Sequence, residues 1–227
     1  PVLSSFEELL FSRSSDYGQN FVNSIIVGVS STAIVVLIAS MCAYSIYRLR
    51  WPAWVPAVLF GWTLFFHMIP AIVIASAWFV MFQYVGLLST YIGLILAHVT
   101  HNLPLGLWLM TVFIRDVPIE MEEAAQVDGA GPASIFFRVV MPMVLPGIAA
   151  TSILVFIFSW NEFAIALNLT ARGTQTVPVA IAKYAQEYEI QFGEMAAGSL
   201  LSTIPALILL LVGQRFIIRG LTAGALK

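Results

Sequence analysis

The chain has 227 residues, of which 60% are apolar and only 10% are charged. Soluble domains are about 45–50% apolar and about 25% charged, so this composition and a mean hydropathy of +0.93 indicate an integral membrane protein. The formal net charge of −2 excludes the strongly basic surface that nucleic-acid binding requires.

Runs of roughly 20 apolar residues predict an all-α, polytopic membrane bundle with five spans. Prolines inside these runs are expected to kink the helices, because proline removes a backbone donor and clashes with the preceding turn. The predicted spans are 21–47, two within 51–114 separated by a break at 83–90, 143–163 and 195–214. The prolines concerned are Pro70, Pro104 and Pro205.

The distribution of basic residues predicts the topology. Five spans place the two chain ends on opposite sides, and an external N-terminus leaves seven of the ten basic residues in the cytoplasm. These seven are Arg48, Arg50, Arg115, Arg138, Arg215, Arg219 and Lys227. The positive-inside rule favours this orientation, with a cytoplasmic C-terminus. An external N-terminus without a signal peptide leads us to expect a preceding sixth helix in a complete chain.

The polar segment 116–142 would then be cytoplasmic, and it contains the most specific sequence pattern in the chain. Pro118 favours a helix start, while Gly129 and Pro132 favour its end and the start of a second helix. In this second helix the apolar residues recur at i, i+4, which predicts a buried side. Helices that lie on lipid are usually rich in Lys or Arg, and this segment has none between Arg115 and Arg138. We therefore predict a surface that docks on another protein.

This segment resembles the EAA loop in the membrane subunits of binding-protein-dependent ABC importers. The matching residues are Glu123, Ala124, Ala125, Asp128 and Gly129, followed by Pro142. The resemblance implies a type I ABC importer permease fold in which this loop couples to a separate ATPase. It also implies a second, homologous permease subunit, two ATP-binding subunits and an external solute-binding protein as partners, besides membrane lipid. ATP and Mg²⁺ would bind to the partner ATPase, and this chain would bind no cofactor.

Three further stretches of the sequence indicate a subfamily of these importers. The stretches 159–167 (SWNEFAIAL), 176–178 (TVP) and 220–227 (GLTAGALK) are similar to carbohydrate-uptake permeases of the maltose type, and to their smaller permease subunit in particular. The likeness covers residues 20–227. It implies one permease domain over 1–227 in a bacterial cytoplasmic membrane, and ATP-driven import of a carbohydrate or related polyhydroxy solute.

Two further groups of residues are candidates for transport roles. Glu162 is the one carboxylate inside the predicted spans, which makes a pathway or gating role a hypothesis. Trp160 and Asn161 offer an aromatic face and an amide to a sugar. An interfacial tryptophan and a helix-end asparagine are equally good interpretations of these two residues.

The predicted external segment 168–194 is long for a structureless loop, and such loops are usually functional or disordered. In the family that this chain resembles, the corresponding loop reaches the solute-binding protein. That resemblance makes Gly173, Thr174, Gln175, Thr176 and Pro178 the candidate contact residues.

The sequence carries no motif for covalent chemistry. It has no P-loop, and its histidines lack the spacing of a helical zinc hydrolase. The stripe His98, His101 and Asn102 is expected to form hydrogen bonds between helices. A gradient-driven secondary transporter remains the alternative, although such proteins favour midplane charges and paired broken helices.

Overall fold

The computed structural model describes residues 3–12, 15–185 and 191–223, with side chains up to residue 214. Regular structure in these ranges is helical, as the composition predicts. The helices are α1 (Leu3–Phe11), α2 (Tyr17–Arg48), α3 (Trp54–Met68), α4 (Ala71–Tyr84), α5 (Tyr91–Arg115), α6 (Ile119–Val127), α7 (Pro132–Ile135), α8 (Met141–Met143), α9 (Leu145–Trp160), α10 (Ala164–Leu169), α11 (Val177–Ala182) and α12 (Phe192–Ala223). The last four residues of the predicted C-terminal match lie outside the described residues.

Within the part of the chain that the structure describes, three helices are long and apolar enough to cross a membrane on their own, namely α2, α5 and the part Phe192–Gln214 of α12. Two bent pairs can each supply one more span: α3 with α4, and Pro132–Met143 with α9. The described helices therefore provide up to five spans, which agrees with the predicted number and with the predicted break between α4 and α5.

The prolines act differently from one another. At Pro70 the chain bends by 98° between α3 and α4, so the predicted kink is in fact a break between two helices. Pro104 and Pro205 lie inside the continuous helices α5 and α12. Proline at a helix start leaves no donor unsatisfied, whereas inside a helix its neighbours must satisfy the freed carbonyl.

Two segments differ in detail from their predicted form. The predicted span 143–163 ends as a helix at Trp160, so Glu162 lies in the connection to α10 rather than in a helix. The predicted external loop 168–194 contains the short helix α11, with Pro178 in its first turn. Val177, Val179 and Ala180 are buried, and the burial of these apolar side chains explains why this segment is ordered.

The second helix predicted after Gly129 is not an α-helix throughout. Between α7 and α8, Phe136–Val140 forms one π-helical segment. Ile135, Phe136 and Val140 are buried, so the predicted apolar side is confirmed. A π-turn widens the helix by one residue per turn and occurs frequently at functional sites.

The chain divides into two compact units. Unit 1 comprises the described residues within 1–32, 69–101 and 156–211, and unit 2 those within 33–68, 102–155 and 212–227. Unit 1 contains two apolar clusters, one around Val27, Leu94 and Ile165 and one around Leu9, Phe156 and Trp160. The core of unit 2 is built around Met110, Ile114 and Val140.

Candidate coupling and translocation sites

The predicted docking helix forms as α6, and its two sides differ. Glu122 is buried, whereas Glu123, Ala124, Asp128 and Gly129 are exposed. Glu120 and Glu122 lie in the first turn, where acidic side chains interact favourably with the helix dipole. Ala125 is half-buried and packs against the core of unit 2. Four of the five matched residues thus lie on an accessible surface, and two of these four have side chains no larger than a methyl group.

Gly129 ends this helix in a left-handed conformation, with φ of +84°. Residues with a Cβ atom adopt this region at a cost of roughly 1–2 kcal/mol, so glycine is the favoured residue here. Its backbone amide donates to the carbonyl of Gln126, and the amide of Ala130 donates to that of Ala125. The glycine corner predicted from the sequence is therefore present.

The buried side of α6 is attached to α2 through the carboxylate of Glu122, and all of these residues belong to unit 2. Arg48, the last residue of α2, donates from Nε to Oε1 of Glu122 over 2.5 Å, and Tyr44 donates from its hydroxyl to Oε2 over 3.0 Å. The side chains of Arg48 and Glu122 are only 12% and 4% exposed. Arg48 also donates from Nη2 to the carbonyl of Val117 over 2.8 Å. We refer to Tyr44, Arg48 and Glu122 as the clamp.

Sequence reasoning missed the clamp. Arg48 entered the topology argument only as a cytoplasmic charge, and Glu122 was given no role. A partial signal was available, because Glu122 lies on the side of the helix opposite Glu120 and Ala124 at 100° per residue. A carboxylate on the inner face of a helix requires a partner.

In unit 1, Glu162 caps α10. Its Oε1 accepts from the amide of Ile165 over 2.8 Å and its Oε2 from the amide of Ala166 over 3.0 Å. The side chain is nearly buried, and Oε2 lies 3.8 Å from Nε2 of His98. The carboxylate therefore satisfies amides that a helix start leaves without partners.

The other two residues predicted for the pathway have different environments. Trp160 is 2% exposed; its indole packs against Phe21 and Phe156 and donates to the carbonyl of Ser202 over 3.0 Å. Asn161 is exposed and donates to the carbonyl of Ile157. In this conformation only Asn161 presents its polar group to solvent.

The predicted binding-protein contact residues follow α10 in unit 1. Gly173 is exposed with φ of +103°, Thr174, Gln175 and Pro178 are half-buried, and Thr176 is buried. The amide of Asn23 donates to the carbonyls of Gly173 and Gln175 over 3.0 and 2.9 Å. The turn is therefore held from α2, although no local pattern connects it with Asn23.

Within the polar stripe on α5, His98 forms a hydrogen bond between helices, as predicted. His98 Nδ1 lies 2.7 Å from the hydroxyl of Ser159 on α9, and that hydroxyl lies 3.1 Å from the hydroxyl of Ser31 on α2. All three side chains are buried. Among the described residues, no group of three or more His, Cys, Asp or Glu side chains is arranged to hold a metal ion.

Comparison with known proteins identifies the family. Residues 35–223 match the family of binding-protein-dependent transport system inner membrane components. The chain is 38% identical over 218 residues to the trehalose transport system permease protein SugB of Mycobacterium tuberculosis, covering 95% of this chain and 79% of the relative. The chain belongs to this family. It is the permease component of an ABC importer, a multi-pass inner-membrane protein and a transport subunit.

Two further comparisons agree with this membership. The permease is 35% identical over 209 residues to the trehalose/maltose transport system permease protein MalG of Thermococcus litoralis, covering 90% of this chain and 74% of the relative. Its fold is similar to that of a bacterial ABC transporter that imports the acidic polysaccharide alginate, with a TM-score of 0.77 at 20% identity over 95% of this chain and 80% of the other. These matches favour the ABC importer over the gradient-driven alternative.

Proposed function

We propose that this permease imports a carbohydrate or related polyhydroxy solute, driven by a separate ATPase that docks on the exposed face of α6. The carbohydrate assignment is supported by the two relatives above, whose names specify trehalose or maltose. The single observation that carries the coupling assignment is the exposure of Glu123, Ala124, Asp128 and Gly129 on a helix whose opposite side is anchored.

The exposed face of α6 has the properties of a docking surface. Val127 is 88% exposed beside Ala124, so an apolar side chain and a small residue lie next to the carboxylates of Glu123 and Asp128. Burial of this apolar area against a partner is favourable. The carboxylates favour a partner with basic side chains at the rim. ATP and Mg²⁺ would be held by that partner, and this chain would bind no cofactor.

The orientation and stoichiometry are part of the same proposal. With an external N-terminus and a cytoplasmic C-terminus, α6 faces the cytoplasm, where ATP is available. We assign to the working complex this chain, a second homologous permease and two ATP-binding subunits. An external solute-binding protein would deliver the solute, and its contact on this chain would be the turn Gly173, Thr174, Gln175, Thr176 and Pro178.

For the solute pathway, the proposal concerns the end of α9. Asn161 would offer its exposed amide to the solute hydroxyls. Glu162 would act on the gate by fixing α10 through its two backbone hydrogen bonds. Trp160 would support both residues from its packed position, and contact with the solute would require a conformation other than this one.

The docking assignment is tested with tryptophan at two small, exposed positions, Ala124 on α6 and Ala53 just before α3. The complex is reconstituted in proteoliposomes with ATP on the cytoplasmic side and the binding protein on the other, and uptake of labelled trehalose and maltose is measured. Ala124→Trp should reduce uptake by about tenfold or more, the effect of losing about 1.4 kcal/mol of binding. Ala53→Trp should transport like the wild type.

Two results would contradict the proposal. Wild-type uptake by Ala124→Trp would exclude docking on this face. Uptake of amino acids or inorganic ions, with none of either sugar or of sugar alcohols, would exclude the carbohydrate assignment.

A further inference from the structure

The clamp joins the end of α2 to two parts of unit 2 that are far from it in sequence, the end of α5 and α6. Arg48 and Glu122 are separated by 74 residues. Arg48 also donates to the carbonyl of Ile114, in the last turn of α5, over 3.5 Å and to that of Val117, just after α5, over 2.8 Å. One guanidinium thus contacts the end of α2, the end of α5 and the buried side of α6. Cationic side chains near helix C-termini satisfy the last carbonyls and interact favourably with the dipole.

Both oxygens of the Glu122 carboxylate accept hydrogen bonds from side chains of α2. Tyr44 and Arg48 lie one turn apart on α2, and each donates to a different oxygen of Glu122. Two donors on one rigid helix fix the carboxylate in both position and orientation. Because the pair is buried, its attraction is screened less by water and salt than that of an exposed pair.

Apart from the clamp, α6 is held by its neighbours in sequence and by apolar packing, because Ala125 packs against the core of unit 2, to which Ala39 and Ala43 of α2 belong. The residues before α6 lead from α5, and the residues after it lead through α7 and α8 to α9. No covalent link connects α6 to α2 locally. The clamp is therefore the polar connection through which a displacement of α6 reaches the end of α2.

We propose that Arg48, Glu122 and Tyr44 are positioning residues for energy coupling: the clamp makes α6 and the ends of α2 and α5 move as one body. This inference rests on the proposed docking of an ATPase on α6. The ATPase would push on the exposed face, and the clamp on the opposite face would transmit the displacement to α2 and α5. Without the clamp, ATP would still be hydrolysed, but fewer turnovers would move the solute.

Single charge removals are unsuitable as the main test, because they leave the partner charge buried and strongly destabilise the fold. Replacement of a buried ion pair by apolar residues of similar volume is often neutral or stabilising. The main variant is therefore the double substitution Arg48→Met with Glu122→Leu. The control is Arg50→Met, two residues along the chain, where the side chain is exposed. Tyr44→Phe serves as a milder variant that leaves the ion pair in place.

The decisive readout is the number of ATP molecules hydrolysed per solute imported, measured in proteoliposomes with equal amounts of assembled complex. We expect the double variant to co-purify with the ATPase like the wild type and to raise this ratio by roughly 2- to 30-fold, the range that residues in a coupling network produce. Tyr44→Phe should give a smaller increase in the same direction. Arg50→Met should leave the ratio unchanged.

The reversed pair Arg48→Glu with Glu122→Arg provides a second readout. It restores the attraction across α2 and α6 but loses the donors to the carbonyls of Val117 and Ile114. Its ratio should lie between those of the wild type and of the apolar double variant. A ratio no better than that of the apolar variant would show that pairing across these helices does not carry the coupling.

The outcomes separate this inference from the proposed function. If uptake and hydrolysis by the apolar double variant fell in proportion, with an unchanged ratio, the clamp would be merely structural and the inference would be overturned, while docking would stand. If the wild-type chain associated with no ATPase, the proposed docking would fail, and the inference that depends on it would fall with it.

Discussion

The hydroxyl of Tyr91 donates to the side-chain oxygen of Asn23 over 2.6 Å. The same oxygen accepts from Gln19, while the amide nitrogen of Asn23 donates to the carbonyls of Gly173 and Gln175. Asn23 is completely buried. One side chain of α2 therefore connects the start of α5 with the turn proposed to meet the binding protein.

Asn23→Leu should loosen this turn. The substitution removes the partner of the carbonyls of Gly173 and Gln175 and of the Tyr91 hydroxyl. Each of these groups that is then shielded from water without a partner costs about 1–3 kcal/mol. We expect a lower melting temperature of the purified protein and a higher concentration of binding protein for half-maximal uptake. Gln19→Ala is the control, because Gln19 is exposed; it should change neither value. Wild-type behaviour of Asn23→Leu would contradict the role of Asn23 in holding the turn.

Substitutions at Glu162 distinguish a helix cap from a charge in the pathway. Glu162→Ala removes both acceptors for the start of α10 and should destabilise the protein by about 0.5–2 kcal/mol. Glu162→Gln keeps one acceptor oxygen, so it should lose less stability and transport in proportion to the folded protein. The measurements are thermal unfolding and uptake for each folded complex. A Glu162→Gln protein as stable as the wild type but without uptake would show that the charge itself is required.

Because α5 and α9 pack closely at Gly147, replacement of Gly147 by alanine should destabilise the protein, whereas the same replacement at Gly61 should not. A Cβ atom on Gly147 would lie 2.2 Å from Cγ of Phe113, whereas a Cβ atom on Gly61 in α3 would meet nothing within 4 Å. Gly147→Ala should therefore cost about 1–3 kcal/mol through overpacking, and Gly61→Ala should cost nothing, because alanine favours helix more than glycine. Equal melting temperatures for the two variants would contradict the described packing.

The glycine corner after α6 predicts a second contrast. Gly129→Ala forces a Cβ atom into the left-handed region and should destabilise the protein by roughly 1–2 kcal/mol, although the space around it is open. Gly131 has an ordinary φ of −76° and is the N-cap of α7, so Gly131→Ala should cost less, because only the N-cap preference for glycine over alanine is lost. Thermal unfolding of both purified variants measures this difference. A Gly131→Ala variant as destabilised as Gly129→Ala would show that the backbone angle is not the cause.

Much of this architecture could be predicted from the sequence because the relevant signals are local. Pro118 and Gly129 mark the ends of α6 through their own backbone preferences, and the apolar runs give the number of spans through the thickness of the bilayer. The exposure of Glu123 and Ala124 follows from the same helix register. These predictions require no knowledge of which segments lie near each other.

The remaining features depend on contacts between distant segments. Nothing local connects Arg48 with Glu122, or Asn23 with Gly173. The π-turn at Phe136–Val140 depends on the packing of its apolar side chains in the core of unit 2. The helix α11 has only six residues, and it is too short for periodicity to indicate it. The position of Glu162 outside a helix depends on its use as a cap.

The most direct test of the central claim is to isolate the assembled transporter. The chain is tagged, solubilised gently from its native membrane and purified, and the co-purifying proteins are identified and quantified by mass spectrometry. The account predicts an ATPase in about twofold amount over this chain and one different permease in equal amount. The ATPase should be lost from the Ala124→Trp or the Gly129→Trp variant more readily than from Ala53→Trp. A chain that purifies alone or as a homo-oligomer in several mild detergents, with no ATPase, would contradict the account.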